Sequence, residues 1–211
     1  MADNYLEKRF EDINAHKKVV VKRNNPSLDT LLHKNRSCRG YDKKYVISHE
    51  QLKRIVEVNS KLASAMNRQV LRFKLVTKGV GADKINECVN MGMALKELEL
   101  PFKGTEPEAF IIVCSVLPED KFIDIDLGIS LQSMLLKAVG MGLNGLIICA
   151  FDKKAIQSYF SLEAEPLAVL AIGKSVESIF LRPVRLGEDL KYYRKDGVHY
   201  VPKIITEDLY L

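Results

Sequence analysis

Ala109-Phe110-Ile111-Ile112-Val113-Cys114-Ser115-Val116-Leu117 is an almost unbroken apolar run. It falls short of the roughly 18 apolar residues that a membrane span needs, and it lacks the alternation that would leave one face wet. It therefore reads as a strand covered on both faces, with helices as the covering layers. Toward the N-terminus, Val70 to Thr77 sets Leu71, Phe73 and Leu75 against Arg72 and Lys74, which is the two-residue period of a strand. Before it, Ser48-His49-Glu50-Gln51 has the form of a capping box and opens a helix with Leu52, Ile55, Val56 and Leu62 as its apolar stripe. Leu28, Leu31 and Leu32 predict a shorter helix capped by Ser27 or Asp29. After a turn at Gly79 and Gly81, Ile85, Cys88, Val89 and Leu95 predict another.

Toward the C-terminus, Asp126 reads as the cap of a long helix with Leu127, Leu131, Met134, Leu135, Ala138 and Val139 on its apolar side. Leu146 to Phe151 reads as a strand, Lys154 to Phe160 as a short helix and Leu167 to Ile172 as a strand. Helices alternating with strands place the chain in the α/β (α+β) class, as a layered sheet. From Ser175 onward the sequence is less regular and rich in Arg, Lys and Tyr. A tail of that length is expected to pack on something, a second subunit being one candidate.

With 211 residues, 47% of them apolar and 28% charged, the chain has enough material for one core. We read residues 1–27 as a helical extension and linker, and residues 28–211 as a single domain with an extended tail. Met1 to His16 carries charges throughout and does not have the form of a secretory signal. Cys38, Cys88, Cys114 and Cys149 form no C-x-x-C pair and mostly have apolar neighbours, so buried thiols in a reducing, cytoplasmic compartment are expected. The four histidines have no metal-ligand spacing, so no metal site is expected. The net charge of +5 comes from dispersed Lys and Arg interleaved with acids, which argues against a nucleic-acid surface and leaves a small phosphate as the favoured anion. No membrane association is expected.

Four segments carry a family resemblance. Asn35-Arg36-Ser37-Cys38-Arg39-Gly40-Tyr41 resembles the R-R-S-x-R-x-[FY] signature of the nitroreductase family, and Ser64-Ala65-Met66-Asn67-Arg68-Gln69 resembles its P-S-x-x-N-x-Q-P-W segment. Asp126-Leu127-Gly128 through Gly142-Leu143 and Leu146-Ile147-Ile148-Cys149 is similar to its D-x-G…G-L-x(3)-W-I-G stretch, and Pro166 to Gly173 to its last core strand. The four follow in the family's order. Asn35, Ala63, Val70-Leu71, Asn144 and Ile147 depart from the pattern, standing where the family has Arg, Pro, Pro-Trp, Gly and Trp.

The resemblance implies a three-layer fold, a central mixed sheet flanked by helices, with extensions that embrace a partner in a homodimer. It also implies FMN at the subunit interface, serving an oxidoreductase that passes a hydride from NAD(P)H to an electron-poor acceptor by a ping-pong route. The chemistry would be the flavin's, and no catalytic side chain is expected. A flavin storage or delivery protein is the alternative. Arg36 and Arg39 suit a phosphate because a guanidinium offers a planar fork of donors, and Ser37 adds a hydroxyl; read from the residues alone, the same segment is a solvated basic loop. Asn67 and Gln69 match the family positions that face the ring edge, and Ser64 contributes through its backbone. Two residues apart at a strand entry, Asn67 and Gln69 are expected to point to one side. Ile147, Ile148 and Cys149 are candidates for the strand laid against one flavin face, Cys149 being read as a core thiol. Lys203 is the first choice and Arg185 the second for a C-terminal phosphate ligand, with Lys174 as a further cation.

Overall fold

A computed structural model describes residues 26–92, 95 and 97–211; the N-terminal helix expected before Asn24 lies outside them. The first helix, α1 (Leu28–Lys34), starts at Ser27, whose hydroxyl accepts the Thr30 N–H, and it carries Asp29 in its first turn and Lys34 in its last, as the helix dipole favours. Helix α2 (His49–Val56) has both arms of the capping box: the Gln51 N–H donates to Ser48 Oγ at 3.2 Å, and the Ser48 N–H to Gln51 Oε1 at 2.9 Å. It buries Leu52 and Ile55, then tightens into a 3-10 turn over Glu57–Lys61, so Leu62 falls outside the helix assigned to it.

Strand β1 (Leu71–Val76), helix α3 (Ala82–Cys88) and strand β2 (Phe110–Ser115) follow. Helix α3 ends at Cys88, before Val89 and Leu95, because Val89 turns extended and bridges to Phe151 instead. Helix α4 (Lys121–Gly140) leads to β3 (Asn144–Ile148), α5 (Lys153–Tyr159) and β4 (Glu165–Gly173). These strands form one sheet in the order β1-β2-β4-β3, and every pair in it is antiparallel. Parallel pairing enters at its margin, where Ser37 bridges Gly145.

Every residue of β2 is buried, as its apolar run requires. Phe110, Ile112 and Cys114 join one core cluster with Ile85, Ile156 and Val169, under α3 and α5. Ile111 and Val113 turn the other way, into a cluster with Leu52, Ile55, Leu131, Met134 and Leu170, under α2 and α4. The result is three layers, helix on sheet on helix.

Two expectations need correction. Helix α4 begins at Asp120, not Asp126: the Asp120 carboxylate accepts the N–H groups of Phe122 and Ile123, both at 2.8 Å. Asp126 is a buried residue inside the helix. The tail is also regular. Strands β5 (Ser178–Val184), β6 (Tyr193–Lys195) and β7 (Val198–Ile204) form a second, mixed sheet in the order β5-β7-β6, with β5·β7 parallel and β6·β7 antiparallel. Pro183 and Pro202 disguise it in the sequence. Pro183 is on an outer strand, and Pro202 lies beyond Tyr200, where the pairing of β7 with β6 stops.

Candidate functional site

The loop after α1 is fixed first by its backbone. The Cys38 N–H donates to the Gly145 carbonyl at 3.0 Å, and the Tyr41 hydroxyl to the Cys38 carbonyl at 2.6 Å. Asn144 ties the loop from the side, accepting the Arg36 N–H at 3.2 Å through Oδ1 and donating Nδ2 to the Lys34 carbonyl at 2.8 Å. A glycine there, as in the family pattern, could make neither side-chain bond. Burial pushes the Cys38 thiol up to about 11, so it remains a thiol inside the loop.

This loop, β3, α4 and the tail sheet enclose a cavity of about 420 Å³. Arg36, Ser37, Arg39, Ile147 and Lys203 line it, so five residues singled out in the sequence meet in one place. Arg36 donates Nε to the His33 carbonyl at 2.9 Å and Nη2 to the Leu32 carbonyl, both at the negative end of α1. Arg39 is only 9% exposed; its Nη2 donates to the Tyr192 hydroxyl at 3.4 Å, and its guanidinium lies 5.2 Å from the centre of the Tyr192 ring. Glu177 accepts the Arg39 N–H at 2.7 Å and pairs with Arg194.

A smaller cavity, about 210 Å³, lies under the turn that follows Leu62 and is lined by Ser64, Gln69, Asp126 and Ser130 among others. The turn leads into β1, as expected, but its own backbone is not extended. Met66, Asn67 and Gln69 all adopt positive φ, and Gln69 Nε2 donates to Asn67 Oδ1 at 3.0 Å, which pairs the two amides as expected but on a 3-10 turn. Three left-handed residues that are not glycine are costly and persist only where neighbours impose them. Helix α4 does so twice: Asp126 accepts the Ala65 N–H at 2.9 and 3.2 Å, and Asp120 takes both arms of Arg68 at 3.0 and 3.2 Å. The Arg68 bond, with the Ile123 and Phe122 N–H groups, holds the Asp120 carboxyl down at about 2. Its stabilisation is complete above the ordinary value of 3.8 and drains away as pH falls through about 2. Asp120→Asn should therefore remove part of the acid-side slope of stability against pH, as urea titrations between pH 2 and 5 can check.

Four of the singled-out residues are not brought in. Ile148 turns its side chain into the core on the opposite face from Ile147, as strand alternation demands. Cys149 is exposed, so it is no core thiol: it follows the last residue of β3, where burial by the sheet ends. Arg185 points elsewhere, donating to Asp208 at 3.0 Å. Lys174 lies over the Tyr45 ring. Conversely, Tyr192, His199 and Gln132 line the larger cavity without having been singled out. The tail alternation that turns His199, Val201 and Lys203 to one side was the available signal.

No helix among the described residues is long and apolar enough to cross a membrane. No curated protein matches the sequence. A nitroreductase family protein from Clostridium difficile 630 is similar in structure, with 26% identity over 70% of this chain and 83% of that one, at a TM-score of 0.55. A protein from Exiguobacterium sibiricum 255-15, solved in complex with FMN, gives 19%, 72%, 90% and 0.59. A variant of an FMN- and NADPH-dependent nitroreductase from Sphigopyxis sp. strain HMH gives 18%, 72%, 89% and 0.57. The family model described as Nitroreductase family matches residues 32–108 and 117–174, which run from the last turn of α1 to β4, apart from β2, and include the loop and turn just described; the chain belongs to the nitroreductase family.

Proposed function

We propose that the chain is an FMN-dependent oxidoreductase whose site is completed by a second copy. The observation that carries the reading is the meeting of Arg36, Ser37, Arg39 and Lys203 around one cavity. Arg39 leaves its buried Nε without an acceptor there, so the donor set suits a phosphate. When bound, FMN would take a hydride from NAD(P)H and pass it to an electron-poor acceptor such as a nitroaromatic or a quinone, by a ping-pong route. The chain's own part is to hold the phosphate with Arg36, Arg39 and Lys203 and to offer Ile147, 37% exposed, as an apolar wall. Asn67 and Gln69 supply donor and acceptor atoms for a ring edge.

Gln69 and Ser64 line the other cavity, with Asn67 bonded to Gln69 in the same turn, and helix α4 contributes to both: Asp126 and Ser130 to one, Gln132 and Leu135 to the other. Between them, Phe122, Ile125 and Ile129 form an exposed apolar stripe at helical spacing. A second copy packed on that stripe can bring the amide turn of one chain to the phosphate cavity of the other, which supports a homodimer with shared sites.

Purified protein should carry about one FMN per chain, and NADH or NADPH should bleach the flavin band anaerobically. Bleaching by neither, in fully loaded protein, would move the reading to flavin storage. Ile125→Glu should yield a monomer by sedimentation and release FMN in parallel. A monomer that keeps its flavin would remove the shared-site arrangement.

A further inference from the structure

His199 is 2% exposed, lines the phosphate cavity and has no partner for Nδ1. A buried polar nitrogen left unpaired costs stability unless something supplies the missing bond. It has company: among the described residues, Arg39 Nε and Arg194 Nε are also buried without acceptors. The nearby carboxylate, Glu177, is already engaged by the Arg39 N–H and by Arg194. The Tyr192 ring packs edge-on against the imidazole, with centres 5.2 Å apart, and lies beside the Arg39 guanidinium, so one aromatic ring fixes both groups. His199 also shares the cavity-facing side of β7 with Lys203. Around this space the chain thus gathers the nitrogen donors of Arg36, Arg39, His199 and Lys203, and among the described residues no carboxylate lines it.

We propose that His199 is a further ligand of the phosphate monoester held in this cavity, donating from Nδ1 alongside Arg39 and Lys203. The proposal rests on the FMN reading for the identity of the ligand, while the anion site itself rests on the donors. The strand that carries His199 lies beyond the region matched by the family model, so this wall belongs to the chain's own tail.

The charges facing the imidazole are Arg39 from the loop after α1, Arg194 from β6 and Glu177 before β5, with Tyr192 against its ring. Burial first, then Arg194 and Arg39, hold the imidazole below its ordinary value, so it is neutral near pH 7. A bound dianion adds the opposite influence and raises it. Binding then takes up protons, so affinity is highest below the free-state value and declines as pH rises through the bound-state value.

The test is titration of the flavin-free full chain with FMN and with riboflavin, followed by flavin fluorescence from pH 6 to 8.5. His199→Phe keeps a ring against Tyr192 and removes the donor; it should weaken FMN about tenfold and leave riboflavin unchanged. His199→Asn keeps an amide N–H near the Nδ1 position without a titrating charge. It should recover part of the FMN affinity and keep only the pH dependence that the phosphate itself contributes. Equal losses for FMN and riboflavin in His199→Phe, or no loss for FMN, would overturn the proposal. Should either variant fail to fold, imidazole nitrogen resonances of the wild-type chain decide: one must move with FMN and not with riboflavin, and none moving overturns it. A wild-type chain that takes neither flavin sinks the FMN reading alone. Inorganic phosphate is then the probe, and protection from heat unfolding in wild type but not in His199→Phe supports the anion site, while no protection overturns it.

Discussion

Replacing Gly145 by alanine should destabilise this chain more than any other single added methyl group, by about 3 kcal/mol or more. A β-carbon at that position would sit 2.3 Å from the Ala171 carbonyl oxygen, 2.9 Å from Leu135 Cδ2 and 3.1 Å from Ile172 Cδ1. The first neighbour is the backbone of β4, the strand paired with β3, so relief requires the two strands to part rather than a side chain to turn. Parting them also disturbs the Cys38 N–H bond to Gly145, and with it the loop that carries Arg36 and Arg39. Loss of flavin binding should therefore accompany the fall in urea midpoint. Gly140→Ala is the natural control, since its nearest neighbour is Leu31 at 3.8 Å. At the end of a helix that change should be neutral or stabilise by about 0.5–1 kcal/mol. A Gly145→Ala midpoint within error of wild type would show that β3 and β4 pack less tightly than described.

Arg39→Met should weaken FMN by roughly tenfold to a hundredfold, the range of a lost charge-assisted contact, with a much smaller effect on riboflavin. Methionine keeps most of the apolar stem against Tyr192 while deleting the fork, so the loss reports on the anion rather than on packing. Arg39→Lys should fall between the two, retaining charge without the planar geometry. Arg36→Ala is a less clean probe, because that guanidinium also serves the Leu32 and His33 carbonyls at the end of α1. Equal losses of FMN and riboflavin in Arg39→Met would place the phosphate elsewhere.

The sheet was legible because its signals are local and redundant. The apolar run of β2, the alternation in β1 and the Ser48 capping box each rest on a few neighbouring residues. Helix α4 shows where that fails: Asp120 and Asp126 are both acceptable caps by residue type, and only the Ala65 N–H, distant in sequence, reveals that Asp126 is engaged elsewhere. The tail sheet was missed because proline argues against strand, and only the long-range register of β5 on β7 shows that both prolines are tolerated. At the site, Arg36, Ser37 and Arg39 stood out as a cluster. Tyr192 and His199 did not, because a single aromatic residue or histidine means nothing until the chain brings it beside Arg39. Ile148 was misjudged because alternation turns it into the core opposite Ile147, and Cys149 because the five-residue strand ends before it can be sheltered.

The tail sheet also sets a timetable. The cavity joins Arg36 to Lys203, so during synthesis its first cation is made well before its last, which waits until the core strands β1 to β4 and then β5 and β6 have been made. Until then the loop can fold on β3 and the sheet can form, yet the wall made by Tyr192, His199 and Lys203 does not exist. On the FMN reading, cofactor capture therefore waits for β7, and nascent chains stalled before β7 should remain colourless while their cores are already protease-resistant.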